Sequence, residues 1–508
     1  MKDGVAAQFY GETSFYPIVP SVDGELDGDL RPSPPLPIAS SEKQQGNPES
    51  LPIGSTEINP DNFTDVDLTP QGPICRYYMA AFFRLNIYYY HMAFYREYFL
   101  RGYRAGKGQY YSDLLLYAVC SMGAIVSGGG TSQTMSDIFY DRAQSLLHGG
   151  ILDSPDITTI QALLILGQRD VGCGRMTKGW FQTGLAFRLM QEMGLHIDPN
   201  HWKTTHDSEV GMEVLRRLYW GSFIADKQLS LYFGRPPALH LSEANVQDST
   251  RVTYPPDWDA LINEYIKPNT TRIEYEDGVA FTTCFTELGN LSKIIHRMII
   301  EVFDNRKNTD QNMLAATIKS VHVSLTKWLA NLPAKLHWNQ WLKEALPPYV
   351  LHLHMYYHTA LIILYRPPRQ LNSNHFASYH GGMEICEQSL NSICQLFKAY
   401  GRDHGDFQHL PMTFIHIIAT ATSLILLKLR IPSLSTSTIE TTQQLDQISN
   451  VVNNVAKIWP AAVPIQAAIE DARQRIVRND TQSIDLQDTT GLDWQVSAAD
   501  FFEIEGIY

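Results

Sequence analysis

No Cys-x-x-Cys pair occurs anywhere in this sequence, so the usual frameworks for a structural zinc site or a redox-active disulfide are absent. Of the six cysteines, Cys75, Cys120, Cys173 and Cys284 stand apart. Cys386 and Cys394 fall on nearly one helical face with Met383, Leu390 and Phe397. They read as core thiols of a reducing compartment rather than as ligands. Basic residues are also scarce: 40 Lys and Arg against 53 Asp and Glu leave a formal net charge of -13. A surface that grips phosphates needs clustered positive charge, so the chain is poorly suited to holding DNA by itself. No uninterrupted apolar run approaches bilayer length, and Met1-Lys2-Asp3 opens on polar residues, so a soluble protein that is not secreted is expected.

Catalytic signatures are missing too. There is no Gly-x-Ser-x-Gly elbow, and hardly any of the apolar-polar alternation that would build the sheet beneath one. Gly128-Gly129-Gly130-Thr131-Ser132 follows a helical run rather than a strand and lacks the Gly-Lys-Ser/Thr ending of a phosphate cradle, so it reads as a loop; the segment 104–108 fails likewise. His352, His354 and His358 form the densest histidine group. The spacing of His354 and His358 puts two imidazoles on one helix face, but no Glu lies between them and no third ligand is near. They read as polar partners inside a helix bundle. No catalytic residue, metal or other cofactor is expected.

What the sequence does contain is 44% hydrophobic and 11% aromatic residues in 508, enough for a large core. From Pro17 to about Pro73 the chain is rich in Pro, Ser, Asp and Glu, as in Ser33-Pro34-Pro35-Leu36-Pro37, and cannot bury enough surface to offset its ordering entropy. Residues 1–74 are therefore expected to be a disordered acidic linker. The aromatic strip at 9–16 within it is either a docking segment or a loose terminus. Beyond Cys75 long apolar segments of helical period alternate with Gly, Pro and Asn, which predicts an all-α body over 75–460, with halves at roughly 75–250 and 280–460.

Individual helices follow from their punctuation. One is expected over 113–126, ended by Ser127-Gly128-Gly129-Gly130. Another runs through Ile160 and Leu166, capped by Asp153-Ser154-Pro155. Residues 178–193 form a helix closed by Gly194, and 213–231 one stopped by Phe233-Gly234-Arg235-Pro236-Pro237. Later helices are expected over 281–303, 313–329, 349–365, 383–400, 412–429 and 443–459. The remainder, 461–508, reads as a terminal helix and an acidic-hydrophobic tail. From Asn479 to Tyr508 there are seven acidic residues and no Lys or Arg, interleaved with Leu492, Trp494, Phe501 and Phe502. That mixture is either an activation segment, whose charge keeps apolar groups solvated until a partner's groove accepts them, or a tail that folds back on the body.

Several segments, taken together and in order, resemble the middle homology region of fungal zinc-cluster transcription factors. The strongest runs from Gly179 and Trp180 through Gly184 and Arg188 to Gly194-Leu195-His196, similar to that family's Trp-x-x-x-Gly-x-Ala-x-Arg helix ending in Gly-Leu-His. Arg216-Arg217-Leu218-Tyr219-Trp220, then Asp226-Lys227 and Gly234-Arg235-Pro236-Pro237, follow in the family's order. Downstream, the run from Leu351 through His358 to Leu364-Tyr365-Arg366-Pro367 looks like its second-half helix. Most of these positions have structural reasons. Gly184 is expected to let helices approach closely, Trp180 and Trp220 to anchor the core, and Pro236-Pro237 to stop a helix while Gly234 relieves the turn. Asp226, Arg235 and Arg366 lie in apolar surroundings and need partners, which predicts an Asp226–Arg235 pair at the helix exit.

The resemblance implies a nuclear transcription regulator, an activator of a metabolic or specialised biosynthetic gene set. Its partners would be the transcription machinery or a coactivator, and it would act without contact to a membrane. Family members carry six closely spaced cysteines that bind two zinc ions and place a helix in the major groove; no such cysteines occur in this sequence, so zinc and direct DNA contact do not carry over. DNA would then be reached only indirectly, through a zinc-cluster module or a DNA-binding partner, or as a homodimer. The competing reading is a helical small-molecule sensor or enzyme with an aromatic pocket around 88–103.

Overall fold

The computed structural model describes residues 68–85, 93–202, 208–249, 255–266, 278–304, 311–339, 341, 345–366, 380–405, 407, 409–430 and 438–485. Among them lie fifteen α-helices and no strand; an isolated bridge joins Gly108 and Tyr111. The all-α class expected from the periodicity holds. Of the linker expected over 1–74, residues 1–67 with the strip at 9–16 lie outside the described residues, as do the tail residues Trp494, Phe501 and Phe502. Residues 68–74 instead dock on the body, the Leu68 and Pro70 carbonyls accepting from the Tyr117 and Tyr103 hydroxyls at 2.9 and 2.8 Å, and a helix already begins at Pro73.

The first half is built around two helices with no wet face. In α3 (Asp113–Ser127) every residue from Leu114 to Val126 is buried. It can only lie inside, and it packs on α1 (Pro73–Arg84), α4 (Ser132–His148) and α5 (Ile157–Gly172). Ser112 starts it by accepting from the Leu115 amide at 3.2 Å, and Gly128, at φ +70°, ends it. All sixteen residues of α5 are buried as well. Its cap is Asp156 rather than the expected Asp153-Ser154-Pro155. The Asp156 carboxylate accepts from the Thr159 amide at 2.9 Å while the Thr159 hydroxyl accepts from the Asp156 amide, and residues Ile151–Asp153 form a separate 3-10 turn.

Helix α6 (Met176–Glu192) lies against α5 at a glycine contact, though not at the one expected. A Cβ on Gly179 would stand 2.6 Å from the Gly167 carbonyl oxygen, whereas one on Gly184 would meet nothing within 4 Å. The face of α6 turned to α5 carries Gly179 and Thr183, and Gly184 is about 100° further round the helix. Close approach is therefore the work of Gly179. Helix α7 (Glu209–Phe233) begins four residues before the expected start because Ser208 caps it, accepting from the Gly211 amide at 3.2 Å. It ends at Gly234, φ +64°. Helices α2 (Arg96–Ala105) and α8 (Trp258–Tyr265) pack on each other; no element was expected at the latter.

The second half comprises α9 (Gly278–Met298), running on as a π-turn over Ile299–Asp304, then α10 (Gln311–Ala330), α11 (Pro348–Tyr365), α12 (His380–His404), α13 (Thr413–Arg430), α14 (Thr438–Val455) and α15 (Val463–Asp485). Helix α11 is its buried axis, packed on α9, α12 and α13. Trp459, expected to close α14, instead follows it in extended backbone, fully buried, with its indole donating to the Leu410 carbonyl at 2.8 Å. Its ring fills the space beside Gly172 of α5, which joins the two halves. Helix α15 continues to Asp485, through the first seven residues of the segment read as tail. Among the described residues no helix is long and apolar enough to cross a membrane.

Candidate functional site: charged nodes buried in the helical body

Burying a charge is costly unless it is paired and hydrogen-bonded, so the places where this core holds charge are its most constrained. Among the described residues the buried charges include the Arg96–Glu97 pair of α2, 3.3 Å apart, and four nodes that tie separate elements together. In the first, Arg169 and Asp170 sit side by side on α5, both with 0% exposure. Arg169 reaches Asp137 of α4 at 2.6 Å and donates to the Ser136 hydroxyl at 2.8 Å. Gln182 of α6 donates to Tyr140, and Tyr140 to Asp170, at 2.8 and 2.7 Å. One relay thus ties α4, α5 and α6. Burial raises the Asp170 carboxyl despite Tyr140 and Arg169, whereas at Asp137 burial is outweighed by hydrogen bonds from Arg169 and Arg175, which hold that carboxyl below its ordinary value.

The second node fixes the α6–α7 connection. Asp198 receives both arms of Arg216 from α7 together with the amides of Asn200 and Gln247, at 3.0 and 2.9 Å. Burial pushes this carboxyl up, but these donors prevail and hold it at about 2. Beside it, Glu213 accepts from the hydroxyls of Ser249 and Tyr95.

At the third node the structure overturns an expectation. Asp226 does not pair with Arg235; its partner is the adjacent Lys227, and both residues are fully buried. Beyond Gly234 the rigid Pro236-Pro237 step brings the amides of Ala238 and Leu239 onto the Asp226 carboxylate, each at 3.0 Å, and Lys227 donates to the Leu239 carbonyl. With its lone pairs taken by backbone donors, the carboxylate needs no arginine. Arg235 lies instead over the rings of Trp180 and Phe233, 4.9 and 4.7 Å from their centroids. Burial lowers the Lys227 pKa against the pull of Asp226. The fourth node is in the second half, where Lys428 of α13 meets Glu387 of α12 at 2.6 Å and Gln444 of α14 at 3.1 Å.

The other positions singled out from the sequence scatter around these nodes. Trp220 is buried and donates to the Gln247 carbonyl at 2.8 Å, as an anchor should. Trp180 is only half-buried, edge-on to Phe233. Arg188 is exposed and reaches no further than Gln191. Gly194 makes the left-handed turn at φ +71°, and the His196 carbonyl accepts from the Asn245 amide at 3.1 Å. Arg217, buried, stacks on Tyr95 at 3.8 Å. Pro236 is exposed and Arg366 half-buried at the end of α11, while Pro367 lies outside the described residues. His358 is half-buried on α11, where burial lowers its pKa to about 3.

His354 is bound to the Leu336 carbonyl at 2.7 Å, and among the described residues no three His, Cys, Asp or Glu side chains gather as metal ligands would. Cys386 and Cys394 are buried, and burial pushes both thiols up to about 12, so they stay protonated as core groups do. Of the aromatic segment 88–103, residues 88–92 lie outside the described residues, and Phe94, Tyr95, Phe99 and Tyr103 are packed in the core. Sequence reasoning missed Arg169-Asp170, Asp198–Arg216 and Lys428–Glu387. The available signal was a charge standing inside an otherwise apolar helical run, as at Arg169 and Lys428.

These nodes brace helices; none sets a nucleophile beside a base. The fungal specific transcription factor domain matches residues 77–330, half of the chain. An uncharacterized transcriptional regulatory protein of Schizosaccharomyces pombe is 37% identical over 428 residues, covering 82% of this chain and 68% of that protein. The nitrogen assimilation transcription factor nirA of Emericella nidulans is 26% identical over 74% of this chain and 44% of its own length. For the activatory protein CHA4 of Saccharomyces cerevisiae the identity is 26%, over 70% of this chain and 58% of the relative. The chain therefore spans between about two fifths and two thirds of these relatives. No solved structure matches it. The chain belongs to the fungal-specific transcription factor domain family.

Proposed function

We propose that this chain is the regulatory body of a nuclear transcription activator, acting on a metabolic or specialised biosynthetic gene set and catalysing no reaction. The observation that carries this reading is the match to the fungal specific transcription factor domain, supported by relatives named as transcriptional regulators and one named as an activatory protein. The nodes described above support a mechanical role. The first and fourth each tie three helices, and the second and third tie α7 to the segments that flank it, through desolvated charges that hold one arrangement and penalise others. Promoter contact comes from a zinc-cluster module or from a DNA-binding partner that carries one, and output passes to a coactivator or the transcription machinery.

The test tethers the chain to a foreign DNA-binding module above a reporter gene. Activation that disappears when residues 479–508 are removed is the expected result, and it identifies that acidic-hydrophobic segment as the activating one. Silence of the tethered chain, together with turnover of a metabolite by the purified protein, would replace the reading with an enzymatic one.

A further inference from the structure

Two cavities adjoin in the core, between α5 and α7 on one side and α11 and α13 on the other. They share Gln168, Gln228 and Thr413 as a common wall. Gln161, His352 and Cys284 of α9 help to line the first, and Tyr356 and His416 the second. The space open to the centre of a water-sized sphere is about 30 Å³ in one and about 20 Å³ in the other. At roughly 10–15 Å³ per water, each has room for more than one water or for part of a molecule of a few heavy atoms.

Four buried polar atoms of the residues that line this space have no protein partner. Gln161 is 2% exposed; its amide nitrogen donates to the Ala93 carbonyl at 3.0 Å, but its Oε1 accepts from no protein group. The Tyr356 hydroxyl, the Thr413 Oγ1 and the His416 Nε2 are equally buried and equally without a protein partner, with Tyr356 2% and His416 5% exposed. Buried polar atoms are normally paired, and leaving several orphaned around adjoining cavities is costly unless something else bonds them. Among the described residues lining the two cavities no side chain is Asp, Glu, Lys or Arg. Burial holds His352 and His416 at about 3, so both are neutral near pH 7. An ion entering here would touch no charged side chain; the charge nearest in effect is Arg366, which acts on His416 from outside the lining.

We propose that this seam binds a small uncharged molecule that both donates and accepts hydrogen bonds, of the size and chemistry of a short primary amide. A donor on the guest is required by Gln161 Oε1; the hydroxyls of Tyr356 and Thr413 rotate to serve either role, and His416 adopts the matching tautomer. Because the seam is walled by helices of both halves, occupancy fastens α5 and α7 to α11 and α13. That fastening regulates transcription only if the proposed function holds. Binding itself is independent of it and is read on the purified chain.

The experiment compares acetamide with acetate, its charged near-isostere, at matched ionic strength. Thermal unfolding of the full chain is followed against ligand concentration, and crystals are soaked in acetamide. Acetamide should raise Tm along a saturating curve and acetate should not, with acetamide density bridging Gln161 and Thr413. Gln161→Leu and Thr413→Val should each weaken the saturating response by about tenfold or more, the share of one lost hydrogen bond. Thr413 is half-buried, so its isosteric variant keeps the test open should Gln161→Leu fail to fold. An equal response to acetate, a non-saturating response unchanged in Thr413→Val, or density for water alone in both cavities would overturn the proposal.

Discussion

Asp198 and Arg216 meet through two parallel hydrogen bonds, Nε to Oδ2 at 2.9 Å and Nη2 to Oδ1 at 3.1 Å, with the carboxylate wholly buried. Such a fork fixes direction as well as distance, so the turn leaving α6 can meet α7 in only one way. Removing one partner strands the other charge in the core. Asp198→Asn should therefore cost about 3–5 kcal/mol, and Arg216→Lys, which keeps the charge but loses the fork, less. Urea unfolding monitored by circular dichroism gives both values.

The same carboxyl sets an acid limit. Its folded pKa of about 2 lies below the ordinary Asp value near 3.9, so the folded state holds the carboxylate more tightly than the unfolded chain does. Its contribution is complete above about pH 5 and is lost as the pH falls from there toward 2. The difference in stability between wild type and Asp198→Asn should be constant above that range and shrink within it.

Buried histidines act in a higher window. Burial lowers His352 and His416 to about 3 and His296 to about 4, so in acid the unfolded chain takes up protons that the folded chain refuses. Stability should fall as the pH drops below about 6.5, with each such residue contributing up to about 1.4 kcal/mol per pH unit. Replacing His352 by Phe should flatten the slope between pH 6 and 4 by about that amount. An unchanged slope would show that the ring is already protonated in the folded chain.

The helical class and most helix positions were legible because apolar period and glycine stops are local properties. Gly234 and Gly194 could be read as ends from the chain alone, and the structure places both in left-handed turns. What could not be read was which neighbour each helix presents its face to. Gly184 and Gly179 are equally plausible contact glycines in sequence; only the placement of α5 selects Gly179. Asp226 was recognised as needing a partner, but the donors it found are backbone amides that carry no sequence signature, and its ionic partner is the next residue along. Asp198 sits in a short connection, where nothing local announces the arginine of the following helix.

Those two glycines make a matched pair. Gly179→Ala forces a Cβ against the Gly167 backbone at 2.6 Å and should destabilise by about 1–3 kcal/mol. Gly184→Ala meets nothing within 4 Å and should stabilise by up to about 1 kcal/mol through helix propensity. Opposite signs in thermal unfolding are expected; destabilisation of similar size at both would mean that α6 turns a different face to α5.

Asp226, Lys227 and Arg235 give the last test, because two arrangements of the same charges predict different outcomes. In the structure Lys227 neutralises Asp226 while both are fully buried, and Arg235 rests on Trp180. Lys227→Met leaves a buried carboxylate held only by the Ala238 and Leu239 amides and should cost about 3–5 kcal/mol. Arg235→Ala removes a stacking contact at a half-buried site and should cost about 1 kcal/mol or less. Had Arg235 been the counterion, the order would reverse. The double-mutant cycle with Asp226→Asn separates the cases: coupling energy should appear with Lys227→Met and stay near zero with Arg235→Ala.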